Sequence, residues 1–85
     1  MSYKKLTFSN DIVQQMVAPQ PHYQEIYLHS GSGIIYIGDD ANVTQANGYR
    51  MDNGDKLTYT LSPGVGLWGI AGAGSPYMYV MNNLN

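Results

Sequence analysis

The chain reads as an all-β protein, a small antiparallel β-sandwich or barrel of about six to eight short strands. Three observations predict this. Short runs alternate apolar and polar residues with the period of a half-buried strand. Turn signals built from Gly, Pro, Asn, Asp and Ser recur roughly every eight to twelve residues. From Tyr23 onward, no amphipathic helical pattern of ordinary length interrupts the rhythm.

Taken in order, Lys5-Leu6-Thr7-Phe8-Ser9 alternates and reads as a first strand. Asn10-Asp11 can cap a short helical turn, because Ile12, Val13, Met16 and Val17 fall on one helical face. The same residues fit an extended segment equally well. Pro19 and Pro21 then force extended backbone on the residues before them. Residues 1–22 are therefore expected to form an extended N-terminal arm with one anchoring strand, and residues 23–85 the β domain.

In the domain, Ile26 and Leu28 share one phase, and Tyr23, Glu25, Tyr27 and His29 the other. Ser30-Gly31-Ser32-Gly33 turns the chain into Ile34-Ile35-Tyr36-Ile37, where Ile35 and Ile37 are the expected core pair and Tyr36 points outward. Gly38 and Gly48 are expected at positive φ, and Asn47-Gly48 is a strong hairpin signal. Asp52-Asn53-Gly54-Asp55 makes a second tight turn before Lys56–Leu61, which places Leu57, Tyr59 and Leu61 on one face. Ser62-Pro63-Gly64 and Gly72-Ala73-Gly74-Ser75-Pro76 flank a strand at Leu67–Ala71. In the last strand Met78 and Val80 face inward, Tyr77 and Tyr79 outward, and the polar tail 82–85 is expected to fray.

Composition narrows the function. Only four residues are Lys or Arg and the net charge is −2, so the basic cluster that binds phosphate backbones is missing. Nucleic acid is not an expected partner. Neither a signal peptide nor a run of about 20 apolar residues is legible, so neither secretion nor a membrane partner is expected, and the protein should stay in the compartment where it is made. With no cysteine there is no disulfide framework and no thiolate metal site or nucleophile. A chain of 85 residues buries only about 60–65% of its unfolded surface. Charged residues are 12% of the total against 44% hydrophobic, whereas a free-living surface carries about 25–35% charge. Part of this surface is expected to be covered in use.

Motifs for chemistry are sparse. Gly64-Val65-Gly66-Leu67-Trp68-Gly69 has dinucleotide-fingerprint spacing, but Pro63 precedes it and no helix follows. Asn42-Val43-Thr44 matches a glycosylation acceptor and reads as a turn. His22 and His29 lack further ligands for zinc. Asp39, Asp40, Asp52 and Asp55 lie in two turns that would have to meet to hold calcium, and Asp favours turns in any case. No enzyme activity, metal or cofactor is expected. The placement of aromatic residues is more informative: Tyr23, Tyr27, Tyr36, Tyr77 and Tyr79 fall on the outward phase, and tyrosine is enriched at protein interfaces. The arm adds Leu6, Phe8, Ile12, Val13 and Met16, which have no evident place in so small a core. These ten residues are the expected interface.

The run Ile35-Tyr36-Ile37-Gly38, Val43-Thr44, Asn47-Gly48-Tyr49-Arg50-Met51, Gly54-Asp55-Lys56-Leu57, Leu67-Trp68-Gly69-Ile70-Ala71, Gly74-Ser75 and Met78-Tyr79-Val80 resembles small virion proteins of tailed bacteriophages. These are β-sandwich proteins of the capsid decoration, cement or head-fibre-base kind. The resemblance covers Tyr23 to Met81 and rests mostly on turn and core residues. It implies a structural protein of the virion that trimerises on the head exterior and clamps the major capsid protein. Two other roles fit the same residues. One is a tail or fibre module that binds host carbohydrate through Trp68 and exposed tyrosines. The other is a head-completion or tail-tube ring subunit.

Overall fold

The computed structural model describes residues 2–84, with side chains described from 3 to 82. Its elements are β1 (Ser2–Thr7), β2 (Val13–Val17), β3 (Gln24–Ser32), β4 (Ile35–Gly38), β5 (Tyr49–Met51), β6 (Lys56–Leu61), β7 (Leu67–Ala71) and β8 (Tyr77–Leu84). They form two antiparallel four-stranded sheets, a front sheet β1-β8-β3-β6 and a back sheet β2-β7-β4-β5. Successive strands cross from one sheet to the other everywhere except β4–β5. This is the strand order of an eight-stranded jelly roll, the double-sheet solution in all-β architecture.

The alternation read from the sequence sets the core. Ile26 and Leu28 on β3, Ile35 and Ile37 on β4, and Met78 and Val80 on β8 all point between the sheets and are buried. Leu61, Leu67 and Met51 complete the layer. Gly69 on β7 is bare for a packing reason: a Cβ there would sit 2.9 Å from both Met16 Sδ and Phe8 Cε2. Gly69 thus makes room for the largest side chains of the interior.

The N-terminal segment departs from expectation. Residues 2–17 supply an edge strand to each sheet, with β1 paired to β8 from Ser2↔Asn82 to Thr7↔Tyr77 and β2 paired to β7. Val13–Val17 is extended, not helical, with a register shift between Gln15 and Val17. Phe8 and Met16 are fully buried in the central core. A sandwich of this size needs those side chains inside, and two edge strands bring them there.

Three smaller expectations also change. Gly38 and Gly48 are not among the positive-φ residues; those are Gly33, Gly54, Gly64, Gly74 and Asp11. Asn47-Gly48 makes no two-residue hairpin turn, because residues 39–48 form a longer loop that folds onto the outer side of β4. Val43 is buried over Gly38, whose Cβ would lie 2.9 Å from Val43 Cβ, and a Cβ on Gly48 would meet Tyr36 Cβ at 2.7 Å. Finally, β8 continues through Leu84, so Asn82–Leu84 is paired to β3. Asn85, the rest of the expected frayed tail, lies outside the described residues.

Candidate functional site: the outer face of the front sheet

The two sheets present different outer faces. On the back sheet Tyr36, Ile70 and Val13 form one row of register partners and Gly38, Trp68 and Gln15 another. The 39–48 loop lies against this side. Gln45 Nε2 donates to Asp11 Oδ1 at 3.0 Å, and Val43 and Ile70 are buried there without belonging to the central core.

Among the described residues, no such loop lies on the outer face of the front sheet. Because Leu6, Met78, Leu28 and Leu57 point inward, the alternate residues of β1, β8, β3 and β6 point out. Strand register then aligns Tyr3, Met81, Tyr27 and Thr58 across the sheet in one row. A second row holds Lys5, Tyr79, His29 and Lys56. Tyr79 lies at the centre: its ring centroid is 6.3 Å from Tyr3, 6.2 Å from His29 and 5.7 Å from Tyr77, the last edge-to-face. Such pairs are worth about 0.5–1.5 kcal/mol beyond area alone, so the rings are held as a set. Lys5 Nζ stands 4.2 Å above the Tyr77 ring centroid, within cation–π range. Tyr77 in turn covers Gly31, where a Cβ would run into its ring. Tyr3, Tyr27, His29, Tyr79 and Met81 line a shallow depression of about 460 Å³. Tyr3 is 66% exposed, so this aromatic surface meets solvent in the isolated chain.

The electrostatics are simple. Lys5 and Lys56 flank the rings, and Glu25, the one carboxylate among the described residues of the face, accepts a hydrogen bond from the Tyr27 hydroxyl. That hydrogen bond, followed by partial desolvation and repulsion from the carboxylate, raises the Tyr27 phenol above its ordinary pKa. Tyr27 is therefore a neutral donor at neutral pH, unsuited to act as a base. Arg50 pairs with Asp52 at 2.8 Å on an exposed turn, and Asp55 Oδ2 accepts from the Asp52 backbone N–H. Among the described residues no three His, Asp or Glu side chains gather into a metal-holding group. No helix among them is long and apolar enough to cross a membrane. The face can offer rings, methylenes and a few hydrogen bonds to another surface.

The ten expected interface residues divide. Tyr27, Tyr77 and Tyr79 come together on the front face. Tyr36 and Val13 belong to the outer side of the back sheet. Ile12 and Tyr23 are exposed in connections outside the strands. Leu6 packs partly buried against the core, and Phe8 and Met16 are inside it, so these two are unavailable for contact. Tyr3, Lys5, His29, Lys56 and Met81 join the front face without having been counted in the expected interface. A signal for Tyr3 and Lys5 was present: with Leu6 inward, period-2 alternation turns both outward. No protein-family model matches the chain, and no curated protein matches it either.

Proposed function

We propose that the protein is a non-enzymatic structural subunit of a tailed-bacteriophage virion, a decoration or cement protein that trimerises on the outside of the head. The observation that carries the reading is the tyrosine cluster around Tyr79, open to solvent on one sheet of a sandwich whose other sheet is partly covered by its own loop. Large exposed apolar patches on small proteins mark interaction sites, and tyrosine and methionine are enriched in interface cores. Closed symmetry would consume that surface without open-ended growth. Jelly rolls also occur in viral capsid proteins.

The test has two readouts. Native mass spectrometry of the purified chain is expected to give a trimer, and co-sedimentation with phage heads stripped of the protein is expected to recover it in the pellet. Tyr79→Glu, which places a charge at the centre of the face, should yield folded monomers that no longer pellet. A monomeric wild type that ignores the heads overturns the reading. A ring of higher order than three would instead favour a head-completion or tail-tube subunit.

A further inference from the structure

A second feature lies on the open side of the sandwich, where the edge strands β5 and β6 approach from opposite sheets. Tyr49 shares the inward phase of β5 with Met51 and pairs with Ile37. Tyr59 shares the inward phase of β6 with Leu57 and Leu61 and pairs with Ile26. Met51 and Leu61 are each 1% exposed, as inward positions should be, yet Tyr49 is 61% and Tyr59 47% exposed. Both tyrosines line a cleft of about 420 Å³, together with an apolar floor of Ile37, Leu57 and Leu67 and with the polar residues Asp39 and Asn47. That volume is in the range of about 300–1,000 Å³ typical of small-molecule sites.

From this we infer that the cleft binds the ring of a neutral pyranose sugar. A pyranose has one face of C–H groups and a rim of hydroxyls. Two phenol rings and an aliphatic floor suit the first. The Asp39 carboxylate, an acceptor of charge-assisted hydrogen bonds, suits the second. Asn47 is held in place because its Oδ1 accepts from Thr44 N at 2.7 Å and its Nδ2 donates to Asn42 O at 3.3 Å. One Nδ2 hydrogen is left over for a ligand oxygen. Among the described residues no Lys or Arg lines the cleft, which disfavours phosphorylated or sulfated sugars. A quaternary ammonium would prefer a cage of rings, and the floor here is aliphatic.

The site shares Leu57 alone with the lining of the front-face depression and takes both its rings from other residues, so its test is a separate one. The full chain, labelled for heteronuclear NMR, is titrated with the methyl glycosides of glucose, galactose and mannose, with N-acetylglucosamine, and in parallel with tetramethylammonium chloride. At least one sugar should give saturable shifts at the backbone amides of residues 47–49 and 57–59, with a Kd of about 1 mM. Tyr59→Ala and Asp39→Asn, both at exposed positions, should weaken it about tenfold or more while the rest of the spectrum is unchanged. Tyr59→Phe, which keeps the ring, should retain binding, and Tyr79→Glu should leave it untouched. Absence of saturable shifts with every sugar, binding that survives Tyr59→Ala, or a stronger response to tetramethylammonium each overturns the inference. None of these results bears on trimerisation.

Discussion

Ser30 lies wholly buried on β3, and its hydroxyl finds no hydrogen-bond partner among the described residues. Its backbone is used fully: the N–H donates to Asp55 O at 2.8 Å and the carbonyl accepts from Gly54 N at 3.0 Å. A buried hydroxyl without a partner costs about 1–3 kcal/mol on protein scales. Ser30→Ala should therefore stabilise the fold by about 1 kcal/mol, read as a higher denaturant midpoint at unchanged slope. Gln24 is the opposite case. It is equally buried, but its Nε2 donates to Ala18 O at 3.1 Å and its Oε1 accepts from Asn82 Nδ2 at 3.0 Å. Gln24→Leu would strand both partners and should destabilise by about 1–3 kcal/mol in the same assay. The Tyr27–Glu25 pair makes a pH prediction. Its folded phenol pKa is raised, so the stability it contributes is complete below the ordinary phenol value of 10.0 and is lost as pH rises through the folded value. Melting temperatures of the wild type should accordingly fall more steeply into the alkaline range than those of Glu25→Gln.

At the level of elements, the segment from β1 to β2 holds the largest interior side chains, Phe8 just past the end of β1 and Met16 within β2. Removing residues 1–17 would take away Phe8, Met16 and Val17 and leave Gly69 facing a void. The truncated chain is expected to lose its cooperative unfolding transition, and a sharp transition in circular dichroism would contradict that. Met16→Ala tests the same packing more gently and should cost about 2–5 kcal/mol. The strands that were legible from sequence are those whose inward phase is aliphatic and regular: Ile26/Leu28, Ile35/Ile37, Met78/Val80 and the run Leu67–Ala71. The arm was illegible because Ile12, Val13, Met16 and Val17 have helical spacing, and the register shift after Gln15 disrupts the period-2 alternation. Asn47-Gly48 misled for a related reason. Local turn preference gave way to the burial of Val43 and to the Thr44–Asn47 turn, closed by Gly48 N donating to Thr44 O at 2.9 Å. The front-face site was half legible: alternation turns Tyr27, Tyr77 and Tyr79 outward, but only the pairing of β1 with β8 and β8 with β3 sets Tyr3, Tyr79 and His29 side by side.

For the molecule as a whole, topology controls how it can fold. Only β4 and β5, among sequential strands, pair within one sheet; every other ladder joins strands distant in the chain, up to Ser2 with Asn82. Loop-closure entropy must be met before those pairings return any stability. The β4–β5 hairpin is a poor local nucleus, because β5 has three residues and the intervening loop depends on Val43 docking over Gly38. Folding should thus await near-simultaneous assembly of both sheets. Stopped-flow refolding is expected in the milliseconds-to-seconds range of β-sandwiches, and a microsecond relaxation would contradict it. Substitutions in the 39–48 loop, such as Val43→Ala, should act mainly on the unfolding rate, since that loop docks on a sheet already formed. The tyrosine face follows the same order of events. Its rows come from β1, β8, β3 and β6 together, so it exists only in the completed sheet, and the assembly proposed above through Tyr79 should lag monomer folding and accelerate with protein concentration. Mixing unfolded chain into buffer at increasing concentration separates the two steps: the folding phase should hold constant while the assembly phase quickens. In Tyr79→Glu only the first phase should remain.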